Sequence, residues 1–138
     1  MPGDVGSIEY TLREPFERAV ETVCKSLASR GLRVAGQMDV SRRISRALGI
    51  VPAPCRIVFV LPGSSLLNPD TAYPWAAIFL PLHIVISGNG CWSEIQVQNR
   101  VQTSAETVAP AFFGPVMEAQ AQVAEALEAI AMRPSIVA

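Results

Sequence analysis

Charged residues, histidine and cysteine are all scarce in this chain, and each scarcity excludes a class of protein. Only 17% of the 138 residues are charged and the formal net charge is −1, whereas about 25% charged residues is usual. A generally basic nucleic-acid binder is therefore excluded. One histidine and three scattered cysteines lack the spacing of a zinc site. We expect no nucleic-acid partner, no metal and no cofactor.

Long apolar runs and targeting signals are also missing. The longest apolar stretch, Ile78–Ile86, contains Pro81 and His83 and is far shorter than a membrane-spanning helix. The N-terminal residues Met1–Asp4 lack the basic and apolar segments of a signal peptide. Because no stretch is long enough to span a membrane, we expect no membrane partner. The cysteine count is odd, so we expect reduced thiols and a cytoplasmic location.

The sequence does have enough apolar residues for one folded domain. Half of its residues are hydrophobic, and we expect a single domain of residues 1–138 with a core at about 8–131. Predicted strands cluster in the middle of the chain and the longer helices lie at both ends. This order predicts an α+β fold, with one mostly antiparallel sheet and two longer helices packed on one face. The predicted strands are about 8–12, 32–38, 56–61, 82–88 and 91–98, and the predicted helices are about 14–30, 42–48 and 115–132.

The clearest local signal is the dipeptide Asn89-Gly90 between two apolar-rich strands. It is the preferred type I′ turn of a hairpin. A two-residue turn pairs the residues that directly flank it, which places His83 beside Gln96 on the neighbouring strand. The same register makes Glu94 a diagonal neighbour of His83.

This pair suggests acid–base chemistry. A carboxylate beside a histidine orients the imidazole as a general base, so His83 is the candidate acid or base and Glu94 its orienting group. Gln96 or Tyr73 would donate a hydrogen bond to the substrate. The alternative is a half-exposed strand face whose polar side chains simply meet water.

A second candidate site is cationic and lies on the short helix of residues 42–48. Arg42 and Arg46 are one helical turn apart and would form an anion site. Asp39 or Ser41 is expected to cap this helix, and Gly49 to end it. The alternative is a solvated helix face, because the net charge is near zero.

Aromatic residues offer a third candidate site. They would line a pocket, or else close a core or an interface, as such residues more often do. We expect Trp75 and Trp92 to be at least half buried. The candidates are Tyr73, Trp75, Phe79 and Trp92.

Several segments together resemble domain-of-unknown-function family 302, over roughly Ile8 to Ile130. The resemblance implies a TBP-like α+β fold and dimers, and it implies no particular reaction. The segments that carry it are Pro15–Val20, Gly31–Val34 with Met38–Val40, Cys55–Val60 and Leu80–Ile86.

The chain departs from that family's pattern at two places. Many members carry Cys-Asn-Pro after the central strand, where this chain has Leu61-Pro62-Gly63. Members often have Asp-Pro after the last hairpin strand, where this chain has Asn99-Arg100. If those positions serve a shared activity, this chain lacks it.

Three functions are compatible with these observations. The first is a small homodimeric domain that binds a small apolar or anionic ligand on its sheet face, since low charge favours a surface covered by a second copy. The second is a cofactor-independent enzyme, a cyclase, isomerase or lyase, that uses His83. The third is a scaffold whose terminal helix packs on a partner.

Overall fold

Three helices and six strands make up the described part of the computed structural model of this protein. The structure describes residues 7–61, 82–98, 110–131 and 134–137. In chain order the elements are β1 (Ser7–Leu12), α1 (Phe16–Ser29), β2 (Arg33–Asp39), α2 (Val40–Leu48), β3 (Cys55–Leu61), β4 (Leu82–Asn89), β5 (Trp92–Gln98), α3 (Pro110–Glu128) and β6 (Pro134–Val137).

The six strands form one sheet in the order β2-β3-β4-β5-β1-β6. Every pairing within the described residues is antiparallel. Strands β1 and β2 therefore run parallel to each other, three strands lie between them, and α1 makes the crossover connection. The prediction of an α+β fold with an antiparallel sheet is confirmed.

The core lies between the sheet and the helices α1 and α3. Apolar residues recur at helical spacing on both helices, and this stripe packs against the alternate, inward-facing strand residues. The two helices also contact each other: the Ser26 hydroxyl of α1 donates a hydrogen bond to the carbonyl of Ala126 in α3 over 2.7 Å. The largest fully buried side chains are Tyr10, Val23, Leu27, Val58, Val60, Ile84, Ile86, Ile95 and Leu127.

The C-terminal elements differ from the prediction. Helix α3 begins at Pro110 and ends at Glu128, so the predicted bounds of 115 and 132 are wrong. Proline lacks only an N–H that the first helical turn leaves unpaired, and it therefore begins this helix rather than interrupting a linker. Strand β6, which starts with Pro134 and pairs with β1, was not predicted because four residues headed by proline carry little strand signal.

The predicted register of the β4–β5 hairpin is wrong by two positions. Asn89 pairs with Trp92, so the loop consists of Gly90 and Cys91. Gly90 has φ 67°, and no residue other than glycine has positive φ in the described part of the chain. Glycine at the first loop position is the pattern of a type II′ turn. An even shift leaves each side chain on its predicted face but changes its cross-strand neighbours.

Candidate functional site

The sheet face opposite α1 and α3, called here the second face, changes in character from one edge to the other. One row of paired residues crosses it from β2 to β1, namely Met38, Ile57, Val85, Gln96 and Glu9. The first three are apolar and the last two are polar. The half formed by β2, β3 and β4 therefore offers apolar contact, and the half formed by β5 and β1 offers polar groups.

His83 lies on the second face, next to Phe59 of β3. Its exposed side chain meets the Phe59 ring edge-on, with centroids 5.1 Å apart and an interplanar angle of 86°. Glu94 is paired with Ser87, four residues along β4 from His83, which is about 13 Å of strand. The predicted contact between His83 and Glu94 is therefore wrong, and Glu94 does not orient the imidazole.

The other candidates on the sheet are not brought together. Trp92 is 43% exposed, so more than half of it is buried as expected, and the Arg13 guanidinium lies 5.2 Å from its ring centroid. Gln96 is exposed on β5, and its strand partner is Val85 rather than His83. Tyr73, Trp75 and Phe79 lie outside the described residues, so the aromatic pocket stays a prediction.

Asp39 fixes the start of α2. Its carboxylate accepts hydrogen bonds from the Ser41 hydroxyl over 2.7 Å and from the backbone N–H of Arg42 over 2.9 Å. These two bonds, with smaller contributions from the positive charges of Arg42 and Arg56, hold the pKa of Asp39 below its usual value. Gly49 ends the helix in the left-handed conformation with φ 69°. The predicted caps are confirmed, with Asp39 as the N-cap.

Helix α2 has no buried residue, and it forms one wall of a cleft with the second face. The cleft has a volume of about 360 Å³. Its cationic wall contains both arginines of the predicted anion site, and its other wall contains apolar side chains of β2 and β3. The residues that line this α2 cleft are Gly36, Gln37, Met38, Asp39, Arg42, Arg43, Arg46 and Phe59.

The arginines of α2 differ from the partly buried Arg56 beside them. The side chain of Arg56 is 19% exposed, contacts Glu17 over 3.2 Å and Asp39 over 3.9 Å, and packs over the ring of Phe16. In residues 7–61, 82–98, 110–131 and 134–137, Arg43 and Arg46 make no ion pair. Their guanidinium donors are therefore available to a ligand, whereas those of Arg56 hold α1 to the sheet.

The apolar wall of the α2 cleft was not predicted as part of a site. Gly36, Met38 and Phe59 form this wall, and the arginines of α2 line the same cleft. The alternation along β3 contained a signal, because Phe59 stands between the buried Val58 and Val60 and must face the other side of the sheet. The sequence could not show that α2 would fold beside that side.

The described part of the chain has neither a metal-binding cluster nor a membrane-spanning helix. Those residues contain no group of three His, Cys, Asp or Glu side chains placed to hold a metal ion. None of the helices in the described ranges combines the length and the apolar character needed to cross a bilayer.

Residues 8–131 match the family described as "Domain of unknown function DUF302". The chain belongs to this family. A DUF302 crystal structure, that of an "uncharacterized conserved protein" from Bacillus stearothermophilus, superposes with a TM-score of 0.71 at 18% sequence identity, and the match covers 88% of this chain and 97% of that one. At that identity the likeness shows the fold alone. No curated protein matches the chain. The resemblance noted in the sequence is thus confirmed.

Proposed function

We propose that this DUF302 domain binds a small anionic ligand with an apolar portion in the α2 cleft. The observation that carries this proposal is that three guanidinium side chains and an apolar wall line one cleft of about 360 Å³. That size is at the small end of known ligand sites. A carboxylate or phosphate group would lie against Arg42 and Arg46, and the rest of the ligand would lie on Met38 and Phe59.

Guanidinium groups suit this role because their planar donors match a carboxylate or phosphate with two parallel hydrogen bonds. Arg42 and Arg46 project from the same side of α2, one turn apart. Asp39 is the one carboxylate among the described residues that line the cleft, and its Oδ1 atom already accepts two hydrogen bonds. The cleft therefore keeps a positive balance, which favours an anion.

Calorimetric titration with octanoate tests this proposal, with octanol and acetate as probes that lack the charge or the chain. We expect octanoate to bind more tightly than either. The variant Arg46→Gln should weaken octanoate binding about tenfold, the value of one charge-assisted hydrogen bond, and leave octanol binding unchanged.

Arg30→Gln is the matched control, because Arg30 is an exposed arginine at the C-cap of α1 that pairs with Glu125. If octanoate binds no better than octanol, or if Arg30→Gln is as damaging as Arg46→Gln, the proposed site is wrong.

We also assign a homodimer to this function. Ile57 and Val85 stand side by side on the second face, and large apolar patches on monomers are rare. A second copy related by a two-fold axis is the commonest cover for such a patch. Light scattering at micromolar concentration should give the mass of two chains, and Val85→Glu should shift the protein toward one chain by burying an unpaired charge. A wild-type mass of 14.8 kDa would contradict the dimer.

An enzyme that uses His83 is the second candidate, and Phe59 favours it. The Phe59 ring lines the α2 cleft and also contacts the imidazole of His83, so a bound ligand would lie one strand away from the only histidine in the chain. Octanoate should then slow the modification of His83 by diethyl pyrocarbonate. An unchanged modification rate at saturating octanoate would remove His83 from the site.

A further inference from the structure

The last residue of α2 and the segment that follows it expose large apolar side chains, which is unusual in a chain with a well-packed core. Leu48 is 68% exposed, Ile50 52% and Val51 94%. Five large hydrophobic side chains are exposed in the described residues, and three of them stand within these four positions. Gly49 has a positive φ and ends the helix before Ile50 and Val51.

Positive charge lies directly beside this apolar segment. Arg42, Arg43 and Arg46 are exposed on the preceding turns of α2. Arg42 and Arg46 also share a second cleft, of about 430 Å³, with Val51 and Pro52. Its remaining lining residues are Asp39, Ser41 and Ser45. Residues 42–51 therefore form one surface, called here the α2 tip, in which apolar side chains protrude beside guanidinium groups.

The charge of the α2 tip decides between its possible partners. A second copy that packed through the same surface around a two-fold axis would place three arginines of one chain against three of the other, and like charges across an interface disfavour it. An anionic partner is favoured instead. Exposed apolar side chains flanked by arginine are typical of segments that lie in a membrane interface.

We propose that the α2 tip docks on the surface of an anionic lipid bilayer. Leu48, Ile50 and Val51 enter the boundary between head groups and acyl chains, and the three arginines contact lipid phosphates. The contact is peripheral and involves no spanning segment. The sequence alone predicted no membrane partner, so this proposal differs from that prediction. It also goes beyond the soluble ligand proposed for the α2 cleft.

Vesicle sedimentation tests this docking directly. The full chain should bind vesicles of phosphatidylcholine with about a third phosphatidylglycerol and should not bind vesicles of phosphatidylcholine alone. Arg43→Gln should weaken the binding about fivefold, the usual contribution of one basic residue near such a surface. Higher salt should weaken it further, because the attraction is screened.

The apolar contribution is tested with Ile50→Ser and a matched control. Met117 of α3 is 51% exposed, against 52% for Ile50, so Met117→Ser removes a side chain of equal exposure elsewhere. Ile50→Ser should reduce vesicle binding several-fold and leave octanoate binding unchanged, whereas Met117→Ser should change neither.

Three outcomes would overturn the docking proposal. The first is no binding to anionic vesicles at low salt by the folded protein. The second is an equal loss of binding in Ile50→Ser and Met117→Ser. The third is a lower mass of Ile50→Ser in light scattering, which would show that a second copy covers the α2 tip. None of them bears on octanoate binding, so failure of this proposal and failure of the ligand site are distinguishable.

Discussion

Helices α1 and α2 both segregate apolar from charged residues, yet they use their apolar residues in opposite ways. Helix α1 buries Ala19, Val20, Val23 and Leu27 against the sheet. Helix α2 buries none of its residues and ends in the exposed Leu48. An amphipathic pattern therefore shows that a helix has a face to cover. Whether the cover comes from the same chain is decided by the tertiary fold.

The largest difference between the two helices is expected when one leucine of each is truncated to alanine. Leu27→Ala should lower the free energy of unfolding by about 2–5 kcal/mol, because it opens a cavity in the core. Leu48→Ala should change it by less than about 0.5 kcal/mol, as is usual for an exposed site. Urea denaturation measures both values. Similar losses in the two variants would mean that Leu48 is buried in solution.

Two glycines provide a second test. A Cβ atom on Gly88 would lie 2.9 Å from the Cβ of Phe16 in α1, so Gly88→Ala should cost about 1–3 kcal/mol through overpacking. A Cβ atom on Gly36, beside α2, meets nothing within 4 Å. Gly36→Ala should therefore be close to neutral in the same denaturation experiment. Equal stability of Gly88→Ala and the wild type would contradict the close packing of α1 on the hairpin.

Tyr10 provides a third test, in the core between the sheet and the helices α1 and α3. Its side chain is buried and its hydroxyl is the one buried side-chain polar atom without a hydrogen-bond partner in the described residues. Burial, together with the charge of Glu128, raises the pKa of this hydroxyl. Tyr10→Phe should therefore be neutral or stabilise the protein by up to about 1 kcal/mol. A marked fall in melting temperature would show that the hydroxyl has a partner in solution.

The N-cap Asp39 provides a test at α2, and its expected effect on stability is the smallest. Its folded-state pKa is lowered, first by the hydrogen bond from Ser41, so its charge stabilises the fold above the unfolded pKa of roughly 3.9. This contribution is lost as the pH falls through the folded-state pKa. Asp39→Asn keeps the capping oxygen without the charge. The wild type should melt slightly higher than this variant at pH 7 and equally at about pH 2, and a constant difference would contradict the assignment.

Periodicity and capping residues were sufficient to predict the elements that build the core. The caps Asp39 and Gly49 follow from local chemistry, which acts within one helical turn. The hairpin register failed for a physical reason. Asn-Gly and Gly-Cys are both acceptable two-residue loops. The pairing of the hairpin with β1 and β3 determines which of them forms, and the local sequence does not contain that information.

The candidate site was predicted only on its cationic side. Arg42 and Arg46 were found because helical spacing places them together, whereas Met38 and Phe59 join them through the crossing of α2 over a sheet edge. Glu94 was assigned to His83 through the wrong register and lies too far along the hairpin. A site assembled from one helix is visible in the sequence, and a site assembled between strands depends on their exact pairing.

A spectrum of backbone amides recorded during an octanoate titration tests the central claim most directly. We expect octanoate to shift the amide signals of Gly36, Met38 and Phe59 together with those of α2. The signals of Leu27 and Ile84, which face the core, should stay unchanged. Shifts confined to the side of α1 and α3, or no shift in α2 at saturating octanoate, would contradict a ligand site in the α2 cleft.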